Sequence, residues 1–253
     1  MTSATDLTVG FFGTSIMEHL EAYNTQMTNQ ANLPKAGTMV TVEGWHQRGW
    51  VHRLALSLRA ARPHVTFDIR NHGQGGATSR DIASIVETDR ATTGTDYDLV
   101  FLGCGINDVW RRYQGRLAEA VDIDEYSRHL TTMLKQLSGY SRQVVVVSET
   151  PFGPVEAPGT VVEMNVELVR YNKAARAAAD VCGALFLDVW TPVAAAARHL
   201  PADDATAGVW NDGVHLSELG DTILLQEAER FLADRRVIEQ LVDHPRSERD
   251  RAL

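Results

Sequence analysis

The chain has 253 residues, 24 Lys+Arg against 33 Asp+Glu for a formal charge of −9, and 44% hydrophobic residues. At this length one hydrophobic core is the default and two small domains the alternative. Ordinary Gly and Pro content and 23% charged residues speak against disorder and fibrous repeats, and the acidic balance against a nucleic-acid surface, which needs a basic stripe.

In chain order, the first apolar run, Leu7 to Phe12, predicts a strand and leads into Gly13-Thr14-Ser15-Ile16. Residues 16–48 form a connection of mixed polarity with Pro34, Gly37 and Gly44. It is longer than an ordinary strand-to-helix turn, and a lid, a substrate wall and an oligomer contact are all open to it. A helix is expected over about 49–61 and a strand over Val65 to Ile69, followed by the loop Asn71-His72-Gly73-Gln74-Gly75-Gly76-Ala77-Thr78. A helix at about 79–91 then precedes the strand Leu99 to Leu102 and the loop Gly103-Cys104-Gly105-Ile106-Asn107-Asp108. Further along come a helix at 123–138, a strand at Val144 to Val147, a helix at 164–181 and a strand at Leu185 to Val189. The segment Trp210-Asn211-Asp212-Gly213-Val214-His215 precedes a last helix at 217–236, for which Ser217 is the expected N-cap and in which Leu219, Ile223, Leu224 and Ala228 recur near helical spacing. Short, nearly uninterrupted apolar strands alternating with amphipathic helices predict a doubly wound α/β domain with a parallel sheet. Ligands of such sheets bind beyond the C-terminal strand ends, where these loops gather.

Two cysteines, Cys104 and Cys182, cannot make a disulfide framework, and no His/Cys spacing suggests zinc. The first residues lack the basic start and apolar core of a secretory signal, and no run of about 18 apolar residues occurs. The expectation is a soluble, cytoplasmic protein in a reducing compartment, with no membrane or nucleic-acid partner. The charged stretch from Asp243 to Leu253 reads as a solvated tail.

The loops supply the groups that a nucleophilic hydrolase needs: a hydroxyl, a base, a group that orients the base, and oxyanion donors. Ser15 follows the first strand; His215 is the candidate base, and Asp212, three residues earlier, can reach its Nδ1 and leave Nε2 for the serine proton. Gly76 offers an unobstructed backbone N–H, Asn107 a side-chain amide, and Ser15 its own backbone N–H.

These segments resemble the SGNH, or GDSL, hydrolase superfamily. Its Gly-Asp-Ser-(Leu/Ile) block is matched by Gly13 to Ile16, Asn-x-Gly-x-x-Gly by Asn71 to Gly76, Gly-x-Asn-Asp by Gly105 to Asp108, and Asp-x-x-His by Asp212 to His215. The resemblance covers about residues 7 to 236. It implies a flavodoxin-like three-layer α/β/α sandwich with a five-stranded parallel sheet, a triad of Ser15, Asp212 and His215, an oxyanion hole of Ser15, Gly76 and Asn107, and no cofactor or metal. Thr14 departs from the family's Asp, and altered loop anchoring rather than lost chemistry is expected. Residues Asn107 to Arg112 are similar to stretches in family members that deacetylate carbohydrates, which points to short-chain, sugar-borne acyl esters.

His72, in the oxyanion loop, is a candidate for bordering the pocket. Trp110 and Trp210 are candidates for packing against sugar or acyl groups, with core or loop anchoring equally open. Cys104 reads as a buried small residue, since nothing supplies the flanking base of a thiolate nucleophile. Acyl transfer to an alcohol or amine by the same residues is the alternative activity, and an inert small-molecule-binding protein the reading from a different class. Homo-oligomerisation is left open.

Overall fold

The computed structural model describes residues 5–18, 49–155, 159–199 and 208–245. Most of the long 16–48 connection, from 19 onward, and the tail beyond 245 lie outside the described residues. The elements are β1 (Thr5–Thr14), α1 (Ser15–Glu18), α2 (Trp50–Ala61), β2 (Val65–Gln74), α3 (Ser79–Thr93), β3 (Tyr97–Gly103) and α4 (Ile106–Tyr113). They continue with α5 (Ile123–Ser138), β4 (Ser141–Val147), α6 (Val161–Cys182), β5 (Leu185–Leu187), α7 (Trp190–His199), α8 (Glu218–Asp234) and α9 (Val237–Asp243).

The strands form one five-stranded sheet in the order β2-β1-β3-β4-β5, and every pairing is parallel. Period-two alternation sends Leu7, Val9, Phe11, Leu99, Phe101, Val145 and Val147 to one face, where α2, α8 and α9 cover them. Phe12, Val100, Leu102, Val144 and Val146 face the other, under α3, α5 and α6. Both faces are buried, which is why the central strands read as unbroken apolar runs. On the first face Phe11 stacks on Phe101 with ring centroids 4.8 Å apart, and Trp50 stands edge-on to both at 5.9 and 6.1 Å.

Strand order reverses between β1 and β3, so the chain leaves these two neighbours toward different layers, and sheets of this kind bind their ligands in the crevice beyond the strand ends at such a point. Ser15 stands at the end of β1, and Asn107 follows β3.

Three differences from the expected elements have local causes. β2 runs on through Asn71 to Gln74, which pair residue by residue with Phe11 to Thr14; it is an edge strand, and its polar composition imitates a loop. α6 starts at Val161 because Thr160 and Glu163 form a reciprocal capping box. β5 ends at Leu187 because the N–H groups of Val189 and Trp190 both donate to Ser148 Oγ, opening α7 instead.

Candidate active site

α1 is one turn long, and it is fastened from two sides. Trp50 Nε1 donates to the Ile16 carbonyl at 3.1 Å, and Asn71 Nδ2 to the Met17 carbonyl at 2.9 Å. Asn71 also takes the Gly73 N–H on its Oδ1 at 2.9 Å. Gly73 is required here because a Cβ on it would fall 2.3 Å from the Glu18 backbone nitrogen. Thr14 Oγ1 accepts the Ile16 N–H at 3.4 Å, a long bond that caps the turn where the family pattern has a carboxylate. These contacts hold Ser15 at the first position of α1, only 6% exposed.

Opposite it, the chain makes a tight loop between Trp210 and Leu216, which form an isolated antiparallel bridge. Asn211 closes the loop, its N–H on the His215 carbonyl at 2.8 Å and its Nδ2 on the Leu216 carbonyl at 2.9 Å. Gly213, at φ +84°, turns the chain, and its carbonyl accepts the Gly153 N–H at 2.7 Å. A Cβ on Gly213 would lie 2.1 Å from the Pro154 carbonyl oxygen, so the turn is pressed against the loop after β4. Ser217 caps α8, as expected, by accepting from the Gly220 N–H.

This loop brings His215 Nε2 to 3.0 Å from Ser15 Oγ and His215 Nδ1 to 2.6 Å from Asp212 Oδ2. Asp212 Oδ1 accepts the N–H groups of Val214 and His215 at 2.9 and 2.7 Å. Burial alone would raise the Asp212 carboxyl, but the His215 hydrogen bond and charge and the two backbone N–H groups outweigh it and hold the pKa below the ordinary value. An ionised carboxylate only accepts, so Nδ1 carries a proton, and in the neutral imidazole that leaves Nε2 as the acceptor facing the serine hydroxyl.

Gly76, in the turn between β2 and α3, sits at φ +74°. Asn107 is 2% exposed and donates one amide hydrogen to the Ala77 carbonyl at 2.9 Å, which leaves it a second. The start of α4, which carries Asn107, is supported from below by the buried Glu149 carboxyl. Burial and the neighbouring Asp108 push that carboxyl up to about 8, opposed by a hydrogen bond from the Ile106 N–H. Asp108 accepts from the N–H and hydroxyl of Ser79 at the start of α3, and burial lifts it to about 6 against those bonds.

The remaining candidates fall elsewhere. His72 does not border the crevice: its ring stacks on Phe12 with centroids 4.5 Å apart and Nε2 lies 3.0 Å from the Tyr97 hydroxyl, because β2 continues as a strand and alternation turns this side chain under α3. Burial lowers its pKa, against the raising effect of Asp89. Trp110 leans on Phe152 at a centroid distance of 6.4 Å, and the Trp210 indole lies against Gly153, so the two flank the loop after β4. Both indole N–H groups are buried without an acceptor. Cys104 is buried, and desolvation drives its thiol well above the ordinary range, away from thiolate chemistry. Among the described residues no His/Cys/Asp/Glu group could hold a metal, and no helix is long and apolar enough to cross a membrane.

Fold and rim together are those of a serine-type ester hydrolase. The model of the GDSL-like lipase/acylhydrolase family matches residues 11–223, and the chain belongs to that family, within the SGNH hydrolases. Among its relatives, an acetylxylan esterase of Geobacillus stearothermophilus is 28% identical over 192 residues, covering 74% of this chain and 80% of that protein. A GDSL esterase/lipase, WDL1, of Oryza sativa subsp. japonica is 27% identical over 146 residues, 54% of each chain. The solved structure of Axe2, an acetylxylan esterase from Geobacillus stearothermophilus, superposes with a TM-score of 0.68 at 22% identity over 91% of this chain and 95% of its own. LAE5, an enzyme from the metagenome of Lake Arreo, matches with a TM-score of 0.69 at 22% identity over the same shares. At these identities the structures show the shared fold.

Proposed function

We propose that the protein hydrolyses short-chain acyl esters, with acetyl esters of carbohydrates as its substrate class, through an acyl-enzyme on Ser15. The observation that carries this reading is the continuous chain from Ser15 Oγ through both nitrogens of His215 to Asp212, at 3.0 and 2.6 Å. Its supporting relative is the acetylxylan esterase, of which this chain covers 80%.

His215 Nε2 takes the Ser15 proton as Oγ attacks the ester carbonyl. The tetrahedral oxyanion is held by the N–H groups of Ser15 and Gly76 and the free amide hydrogen of Asn107. The imidazolium, steadied by Asp212, then protonates the leaving alcohol oxygen. Water enters, is deprotonated by the same nitrogen, and releases the acid and the serine. Trp110 and Trp210, along the wall after β4, are the side chains proposed to meet the alcohol part of the substrate.

The reading is tested with p-nitrophenyl esters of increasing acyl length alongside acetylated xylo-oligosaccharides. Acetyl esters are expected to give the highest kcat/KM, with acetate released from the oligosaccharide. A protein that cleaves none of them is not an esterase of this class. Acetate that appears instead on an added alcohol or amine acceptor would assign acyl transfer.

A further inference from the structure

α4 does more than carry Asn107. Within one turn it holds three of four consecutive residues in the stretch from Gly76 to Ser79. Arg111 Nη2 donates to the Gly76 carbonyl at 2.6 Å, Asn107 Nδ2 to the Ala77 carbonyl at 2.9 Å, and the Asp108 carboxylate accepts the Ser79 N–H at 2.9 Å. Asp108 thereby caps α3, and Asn107 is the amide of the site. Arg111 has no part in the chemistry described so far.

Its setting is unusual for an arginine. The residue is 7% exposed, and its other hydrogen bond goes to the neutral Gln114 Oε1 at 2.7 Å. No carboxylate lies within ion-pair distance of it among the described residues. Burial and the neighbouring Arg116 lower its pKa, outweighing Glu119, Asp81 and Asp108, which favour its charge from longer range, and the one peptide carbonyl it reaches is that of Gly76. It packs against that peptide so closely that a Cβ on Gly76 would fall 2.9 Å from Nη2. Gly76 is the third residue of the turn from Gln74 to Ala77 that joins β2 to α3, closed by the Ala77 N–H on the Gln74 carbonyl at 3.3 Å, and its φ of +74° is the left-handed value that glycine takes at such a position. Its carbonyl belongs to the peptide it shares with Ala77, whose N–H closes the turn, so the guanidinium braces from outside the turn whose central peptide carries the Gly76 N–H.

We propose that Arg111 is a positioning residue for the oxyanion hole: by holding the Gly76 carbonyl its guanidinium locks the turn from Gln74 to Ala77, and that turn presents the Gly76 N–H to the oxyanion that the Asn107 amide also meets. The inference rests on the esterase reading above, in which that N–H meets the oxyanion. Asn107 and Arg111, one turn apart on α4, then fix two oxyanion donors relative to each other.

Arg111→Met and Arg111→Lys test this by kinetics on p-nitrophenyl acetate together with amide hydrogen exchange. Arg111→Met is expected to lower kcat by about 10–100-fold with KM within about threefold, because a donor used only in the transition state is misaimed. Amides of 74–79 exchange faster while β1 and β3 keep their protection. Arg111→Lys, with the same charge but a single nitrogen in place of the fork that reaches both Gln114 Oε1 and the Gly76 carbonyl, falls between the wild type and Arg111→Met in both readouts, and decides alone if the methionine variant does not fold. An unchanged kcat, a KM effect without a kcat effect, or loss of protection throughout β1 and β3 overturns the role. A wild type that cleaves no ester overturns the esterase reading itself and this inference with it; an active wild type with an indifferent Arg111→Met overturns only Arg111.

Discussion

The two halves of the site are built differently. Ser15 and Asn107 are 6% and 2% exposed, set at the ends of central strands and tied to side chains from α2, β2 and α4. Asp212 and His215 ride on a loop, with side chains 53% and 24% exposed, and that loop is pinned from outside through the Gly153–Gly213 hydrogen bond. The proposed nucleophile and oxyanion donors are thus part of the core's own packing. The proposed base depends on local turn geometry and on contacts with the loop after β4. Variants on the first side should change chemistry with little change elsewhere; variants on the second should loosen the base before they unfold the domain.

The largest effect is expected for Ser15→Ala, which removes the proposed nucleophile and should cut turnover of p-nitrophenyl acetate by about 10⁴-fold or more, with an unchanged circular dichroism spectrum and melting point. Asn107→Ala removes one proposed oxyanion donor and should cost about 10²–10³-fold in kcat with KM nearly constant. On the exposed half, Gly213→Ala forces a Cβ into the Pro154 carbonyl at positive φ. It should cost about 1–3 kcal/mol in denaturant unfolding and slow turnover beyond what that loss of folded protein explains. If kcat falls only in proportion to the unfolded fraction, the turn does not aim the base.

The smallest effect is one of pH. An unfolded glutamate releases its proton near 4.5, whereas the fold holds that of Glu149 up to about 8. Between those values the folded state binds more protons than the unfolded one, so stability falls as pH rises through that window and levels off above it. Asp108, lifted from 3.8 to about 6, adds a fall over the lower part. Glu149→Gln keeps an acceptor for the Ile106 N–H and cannot ionise, so its melting point should decline less than that of the wild type between pH 5 and 8 in a matched series. Parallel curves would mean that Glu149 does not titrate in this range.

The strands β1, β3 and β4 were legible because both of their faces are buried and their apolar runs leave no alternative. β2 was legible only to Ile69: an edge strand bonded along one side can carry Asn71 to Gln74, and nothing local separates such residues from a loop. Taken as part of a loop His72 is a candidate for bordering the pocket, whereas in the strand its ring stacks on Phe12 beside the Tyr97 hydroxyl. The loop expected over Gly103 to Asp108 runs into α4, a helix of only eight residues that starts directly after Gly105. In the site, the four blocks were legible because each is local and ends a strand or opens a helix. Trp50, Arg111 and Glu149 were not, since the first two act on residues 34 and 35 positions away and the third on a helix start beyond the next strand. Only folding brings them to the groups they hold.

The central claim is that Ser15, activated by His215, is the attacking group. Its most direct test is mass-spectrometric mapping of the adduct left by a serine-directed phosphonate, read beside p-nitrophenyl acetate turnover. The account expects one adduct per chain, on Ser15, absent from Ser15→Ala and strongly slowed in His215→Ala. An adduct on another residue, or turnover that survives Ser15→Ala, would contradict it.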